Sequence, residues 1–160
     1  MMKLTKEIID ALRIKNPDDV VVYLTTSSVD GRCNISPQFF TDIYMDEFIL
    51  MPDLFAVKTK INLNENRVGL VTIAHPPDGK MWALRGPCAH IEWGLPDNYD
   101  FQGVKAGDIL KKWGDWSEKE SFSDLPQDVR PGVIAQRGVI VLKVAECYSL
   151  NAEDSGRKIL

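Results

Sequence analysis

The 160-residue chain lacks several features that would place it in a familiar class of protein. No apolar run approaches the ~20 residues of a membrane-spanning helix, and the first residues enter an amphipathic pattern that is not typical of a signal peptide. Basic residues do not cluster into the stripes that bind nucleic acid, and the net charge is −4. We therefore expect a cytoplasmic protein that engages neither membranes nor nucleic acid, although a small phosphate ligand needs only one local positive site.

Cysteine and histidine are also scarce, with three and two residues respectively. The cysteines, Cys33, Cys88 and Cys147, show no C-x-x-C spacing and lie in strand-like sequence. A metal site would have to be assembled from scattered strands, so none is predicted. We expect three buried or half-buried free thiols in a reducing compartment.

Motifs that carry catalysis are missing as well. The chain has no P-loop, no Gly-x-Gly-x-x-Gly and no Gly-x-Ser-x-Gly, which argues against a P-loop ATPase, a Rossmann domain and a serine hydrolase. His75 precedes two prolines in a turn, where exposure is expected, and His90 is predicted to form a solvent-side pair with Glu92. The sequence therefore predicts no catalytic side chain.

What the chain does contain is a series of strand patterns. A composition of 44% apolar and 26% charged residues is typical of one folded domain, here residues 1–160. Six strands are predicted, at residues 20–28, 33–40, 48–52, 67–74, 81–93 and 133–148. Helices are predicted at residues 5–14, 58–66 and 103–113, the last within a variable helical or loop insertion at 95–132. Short hairpin links favour a mainly β fold, a six-stranded antiparallel barrel with a few short helices.

Local signals predict where this barrel turns and where it is irregular. The dipeptide Asp30-Gly31 closes the first hairpin because glycine tolerates positive φ. Pro37 offers no ladder donor and is expected at a bulge or a sheet edge, so Ser36 and Gln38 either point toward a ligand or belong to an ordinary edge irregularity. Gly86-Pro87 is expected to form a second bulge.

The start of the second helix is the candidate ligand site. Lys58-Thr59 opens this helix, and Asn62 falls on the same face. A helix N-terminus favours an anion, to which the lysine adds a charge and the threonine a hydroxyl donor. The pattern indicates a phosphate at the end of a flat apolar ligand, while a solvated lysine and an N-cap threonine are the alternative. Trp82 either packs inside the barrel or lies at a subunit face.

Several stretches occur in a characteristic order along the chain. They are Val22-Tyr23-Leu24-Thr25-Thr26, Asp30-Gly31-Arg32-Cys33-Asn34-Ile35-Ser36-Pro37, Phe48-Ile49-Leu50-Met51-Pro52, Lys58-Thr59, Asn62-Leu63, Asn66-Arg67-Val68 and Leu84-Arg85-Gly86. This order resembles the FMN-binding split-barrel family, which includes pyridoxamine phosphate oxidase and small bacterial FMN-binding proteins. The likeness covers residues 5–94 and, more loosely, 133–148.

The resemblance implies a homodimer that holds FMN in two sites at the subunit interface. Lys58 and Thr59 are then the phosphate ligands, and Asn62 supports the phosphate end. Trp82 sits where the partner subunit approaches the flavin. The wall along the flavin ring and ribityl chain is then formed by Asn34, Ser36, Gln38, Leu50 and Met51.

Two departures from the family narrow the expected function. The vitamin B6 oxidases carry a basic pair where this chain has Val57-Lys58, and they end in a segment with a substrate-binding tryptophan, whereas this chain has none after Trp116. Both departures argue against pyridoxamine phosphate oxidation. We predict an FMN-dependent flavoprotein, an oxidoreductase or electron carrier with an unknown substrate. The alternative is a non-enzymatic module that holds FMN, haem or a deazaflavin.

Overall fold

Ten strands and three helices form in the part of the chain that the computed structural model describes, which comprises residues 3–13, 19–38, 41–53, 57–75, 77–96, 98–119, 138–151, 153 and 155–159. The helices are α1 (Lys6–Leu12), α2 (Val57–Glu65) and α3 (Ala106–Lys119). The strands are β1 (Val21–Ser27), β2 (Cys33–Gln38), β3 (Asp42–Tyr44), β4 (Phe48–Pro52), β5 (Val68–His75), β6 (Lys80–Ile91), β7 (Asp100–Phe101), β8 (Val104–Lys105), β9 (Val139–Lys143) and β10 (Glu146–Ser149). No helix in these ranges is long and apolar enough to cross a bilayer.

One antiparallel sheet of eight described strands is organised around β6, the longest strand. The order is β2-β1-β5-β6-β9-β4-β3, and β10 also pairs with β6. Residues 82–85 of β6 pair with β10 and residues 88–91 pair with β9, while β5 pairs with residues 80–87. On one side, β6 therefore pairs first with β10 and then with β9, and the exchange point between these two partners lies near the middle of β6.

Gly86 lies at this exchange point, and its lack of a side chain is a steric requirement. A Cβ atom built on Gly86 would lie 1.8 Å from the carbonyl oxygen of Lys143. The register with β5 continues unbroken through Gly69↔Gly86 and Val68↔Pro87. The bulge expected at Gly86-Pro87 is therefore not formed with β5. The glycine instead allows the backbone of β6 to approach the backbone of Lys143 closely.

Two apolar clusters fill the space between the sheet and the helices. In the larger cluster Leu24, Val71 and Leu84 are neighbours across β1, β5 and β6, and all three are fully buried. The smaller cluster joins β4 and β9 to α3, whose Trp113 is fully buried. Strands β4 and β9 are buried on both faces, which explains their continuous apolar sequences.

The mainly β, antiparallel class predicted from the sequence is confirmed, and so is the first helix. Thr5 caps α1, because its Oγ1 accepts a hydrogen bond from the Ile8 amide at 3.4 Å. Pro37 lies in the edge strand β2 and pairs with Tyr23 in an unbroken register, so of the two expectations for Pro37 the sheet edge is the right one.

The strand count differs from the predicted six for two physical reasons. The predicted last strand is two strands, β9 and β10, because the apolar pair Val144-Ala145 hides the change of pairing from any hydropathy pattern. Strands β3, β7 and β8 have only two or three residues each and leave no periodic signal. The helix predicted at 103–113 begins later and runs further as α3, because residues 100–105 form the small β7–β8 hairpin. Residues 120–137 lie outside the described ranges.

Candidate functional site

The β1–β2 hairpin presents one polar row on its inward face. The turn closes where the Ser28 amide donates to the Arg32 carbonyl at 2.9 Å, with Gly31 at φ +86°. Beyond the turn, side chains two residues apart on β2 face the buried residues of β1, since paired residues share a face of the sheet. The pairs are Asn34↔Thr26, Ser36↔Leu24 and Gln38↔Val22.

Two side-chain hydrogen bonds attach α2 to this row. Asn34 Nδ2 donates to Thr59 Oγ1 at 3.1 Å, and Asn62 Nδ2 donates to Thr26 Oγ1 at 3.2 Å. Thr26, Thr59 and Asn62 are all buried, with 2%, 1% and 7% of their surface exposed. A hydrogen bond of this kind contributes about 1 kcal/mol, and breaking one inside the protein costs more. The first two turns of α2 are thus fixed against the hairpin.

A groove of about 520 Å³ runs between the hairpin turn and the exposed side of α2. Its two carboxylates are engaged, because Asp30 pairs with Arg32 at 3.2 Å and Glu65 accepts from the Val29 amide at 3.3 Å. Lys58 also lines the groove and is exposed, and within the described ranges no carboxylate pairs with it. The groove therefore has one ammonium group available for an anion.

The structure brings together one part of the predicted site. Asn34, Lys58 and Asn62 line this groove, and Thr59 lies beneath it with its hydroxyl bonded to Asn34. Ser36 and Gln38 continue the same row along β2, where Gln38 Nε2 donates to Ser36 Oγ at 3.1 Å.

The other predicted residues lie elsewhere. Leu50 and Met51 are fully buried and point to opposite faces of β4, one into each apolar cluster. Trp82 belongs to the larger cluster and lines a separate cavity of about 370 Å³, which is also lined by residues of α1 and by Ser149 and Arg157. Within a single chain these three side chains do not border the groove.

A buried charged network on the other side of α2 was not predicted. His90 Nε2 donates to Asp53 Oδ2 at 2.9 Å, and the same oxygen lies 3.3 Å from Lys60 Nζ. Burial alone would raise the pKa of Asp53, but the hydrogen bond and charge of His90, together with Lys60, outweigh it and hold that pKa below its usual value. His90 Nδ1 also lies 3.1 Å from Glu92, as the sequence predicted.

The predicted solvent exposure of His90 is wrong, because its side chain is only 8% exposed. A sequence signal for this burial exists. Trp82, Leu84 and Cys88 recur at even positions of β6, and the same period of two places His90 on their face of the strand. The identity of its partner Asp53, thirty-seven residues away in the chain, has no such signal.

The three thiols are free, as expected, but only two of them are buried. Burial raises the pKa of Cys88 to about 12 and that of Cys147 to about 11. Cys33 is exposed and lines the groove, which corrects the expectation of a half-buried thiol. Among the described residues, no three His, Cys, Asp or Glu side chains lie close enough together to hold a metal ion.

An antiparallel sheet whose edge hairpin is covered by a short helix defines the class of fold, and solved structures of known proteins share it. No family model and no curated protein matches the sequence. Solved structures do: HupZ of Group A Streptococcus has a TM-score of 0.64 at 12% identity, over 96% of this chain and 98% of that one. A pyridoxamine 5'-phosphate oxidase-related, FMN-binding protein of Nostoc punctiforme has a TM-score of 0.65 at 11% identity, over 98% and 87%.

An F420 reductase is also similar, with a TM-score of 0.51 at 17% identity over 83% of this chain and 90% of that one. At these identities the likeness concerns the fold. The chain therefore has the split-barrel fold of the pyridoxamine 5'-phosphate oxidase-related, FMN-binding proteins, and the resemblance found in the sequence is confirmed at that level.

Proposed function

We propose that this protein binds FMN in the groove between α2 and the β1–β2 hairpin and works as a flavin-dependent oxidoreductase or electron carrier. The observation that carries the proposal is Lys58, an exposed ammonium without a carboxylate partner among the described residues, on the first turn of a nine-residue helix beside a groove of about 520 Å³. Fold similarity to FMN-binding proteins and to an F420 reductase supports a flavin-type ligand.

The phosphate group of FMN is assigned to the start of α2. The unpaired amides of a helix N-terminus and its dipole favour an anion, and Lys58 adds a full positive charge. Thr59 is 1% exposed, so its predicted contact with the phosphate requires the Asn34 side chain to move aside. In this proposal Asn34 and Asn62 have two roles: they hold α2 against the hairpin, and they border the ribityl chain of the bound FMN.

The flat ring is assigned to the inward row of β2. Ser36 and Gln38 offer a hydroxyl and an amide there, which are the groups that recognise the polar edge of a flavin. Leu50 and Met51 are fully buried in one chain, so their contact with the ring stays a prediction. When bound, the flavin supplies the redox chemistry, while these residues bind and orient it and modify its electronic environment.

A second copy of the chain is part of the proposal. Tyr23, Ile35 and Val68 are 41%, 64% and 45% exposed. The registers of β1, β2 and β5 place all three on the outer face of the sheet. An exposed apolar face of this kind is typical of an interaction surface. We assign it to a homodimer whose interface completes the FMN site, and the approach of Trp82 to the partner's flavin stays a prediction.

Haem receives less support as a ligand. An axial histidine would be needed, but both ring nitrogens of His90 lie within 3.1 Å of carboxylate oxygens. His75 contacts Asp78 and lies at the end of β5 that is remote from the groove. A deazaflavin remains the second candidate because of the similarity to an F420 reductase.

The proposal is tested by titrating the purified protein with FMN, riboflavin and the deazaflavin F420, with flavin fluorescence as the readout. FMN is expected to bind more tightly than riboflavin. Lys58→Gln is expected to weaken FMN binding by roughly tenfold or more, the worth of a charge-assisted hydrogen bond, and to leave riboflavin binding unchanged.

Lys111→Gln, at an exposed lysine of α3, is the matched control and should change neither affinity. A protein that takes up neither flavin, or a Lys58→Gln variant with wild-type FMN affinity, would refute the assignment of this groove. Consumption of NAD(P)H with a panel of acceptors then separates an enzyme from a carrier.

A further inference from the structure

Three elements meet in the buried charged network beside α2. His90 belongs to β6, Asp53 directly follows β4, and Lys60 lies in the first turn of α2. The side chains of His90 and Asp53 are 8% and 6% exposed, and that of Lys60 is 36% exposed. One oxygen of Asp53 receives both contacts, from His90 at 2.9 Å and from Lys60 at 3.3 Å.

This network holds the side of α2 that faces away from the hairpin. Register places His90 beside Ile140, which pairs in turn with Met51, so Asp53 extends the same inward row two residues later. On the opposite side, Asn34 and Asn62 bond α2 to the hairpin. The first turn of α2 is therefore held from two directions, by amide–hydroxyl bonds and by ionic ones.

We infer that Asp53, oriented by His90, is the positioning residue that sets the first turn of α2 and so the placement of Lys58 at the anion site. The inference rests on the proposed function, since it concerns the phosphate end of the same groove. Asp53 is not among the residues that line the groove. It accepts a hydrogen bond from Lys60, two residues from Lys58 on the same helical turn, and its own position is fixed by His90, which lies on the paired strand β6.

The charge state of the network agrees with this role. The pKa of Asp53 lies below its usual value, so the carboxylate is ionised at neutral pH and binds Lys60 as an ion pair. Glu92 contacts the other ring nitrogen, but its side chain is 62% exposed and lies outside the buried network. The two ring nitrogens of His90 therefore have different roles: the Nε2 contact with Asp53 positions α2, and the Nδ1 contact with Glu92 does not.

Two amide substitutions separate these contacts. In His90→Gln the amide nitrogen reaches the place of Nε2 and can still donate to Asp53, whereas in His90→Asn it reaches only the place of Nδ1. Both variants bury a neutral amide of similar polarity, so they form a matched pair. For each, the affinities for FMN and for riboflavin are measured with the full-length protein, together with the thermal midpoint.

His90→Asn is expected to weaken FMN binding by about fivefold, the worth of one hydrogen bond, and to leave riboflavin binding at the wild-type value. His90→Gln should restore FMN binding. Riboflavin lacks the phosphate, so it reports an intact fold and ring site. A loss of both affinities in His90→Asn would assign the network a structural role only and overturn the inference, as would equal FMN affinities in the two variants.

The failure of the proposed function is distinguishable from the failure of this inference. If Lys58→Gln leaves the preference for FMN over riboflavin unchanged, the phosphate is not bound at α2, and both ideas fall. If Lys58→Gln removes that preference while His90→Asn keeps it, the phosphate site stands and only the positioning role of Asp53 and His90 is refuted.

Discussion

Gly86→Ala is expected to be one of the most destabilising conservative substitutions in this chain. The new Cβ would lie 1.8 Å from the Lys143 carbonyl oxygen. A carbon–oxygen contact normally needs about 3.3 Å, so the backbone at the end of β9 would have to retreat by roughly 1.5 Å. That shift would break the 2.9 Å hydrogen bond from the Ala145 amide to the Arg85 carbonyl. Overpacking and one lost buried hydrogen bond together cost about 2–4 kcal/mol.

The measurement is urea unfolding, with the free energy obtained by linear extrapolation. Gly114→Ala in α3 is the matched control, because apart from the backbone of its own helix no described atom lies within 4 Å of the added methyl group. Removing a glycine from a helix interior should stabilise the protein by about 0.5–1 kcal/mol. The two alanines should therefore shift stability in opposite directions. A Gly86→Ala variant within about 0.5 kcal/mol of wild type would mean that the close approach of β6 to the end of β9 is not as described.

Three other outcomes follow from the structure. The pKa of Asp53 is depressed in the folded state, so this carboxylate stabilises the fold above its unfolded pKa and stops doing so as the pH falls through its folded pKa. Asp53→Asn should therefore reduce the loss of unfolding free energy on the acid side of a stability–pH curve, and an unchanged slope would contradict this. Cys33 should react with a thiol reagent in the native protein, whereas Cys88 and Cys147 should react only after unfolding, so three native equivalents would be inconsistent with the described burial. Ile35→Lys places a charge on the outer sheet face and should weaken a homodimer by about 1–3 kcal/mol; analytical ultracentrifugation checks this, and an unaltered dimer would move the interface elsewhere.

Much of the barrel was predictable from local sequence. The β-branched run that contains β1 and the Asp30-Gly31 turn specify the first hairpin within two residues of its observed bounds. The ordered stretches that continue to Leu84-Arg85-Gly86 carried the resemblance to a known fold. The prediction failed where a strand is too short to show a periodic pattern, as in the three-residue β3, or where an apolar chain changes its pairing partner without a polar break, as at Val144-Ala145.

In the candidate site, too, the local features were predictable from the sequence and the long-range contacts were not. The helix start with Lys58 and the face shared with Asn62 could be read from spacing, because both are local properties of one helix. The hydrogen bond between Asn34 and Thr59 could not be predicted from the sequence, since the two residues are twenty-five positions apart. His90 carried a sequence signal for burial, but nothing local assigns Asp53 to it. Long-range pairing of polar side chains is a property of the folded backbone.

The packing of α2 explains why polar contacts matter more there than elsewhere. Its buried residues are Thr59, Asn62 and Leu63, so only one of the three is apolar. Burial of one leucine contributes about 2 kcal/mol but allows the helix to slide or rotate, whereas each hydrogen bond contributes about 1 kcal/mol and fixes a direction. A helix attached by an apolar stripe would be more tolerant of substitution and less exactly oriented. The departure from ordinary amphipathic patterning falls at the one helix assigned to ligand binding, which is where such departures are expected.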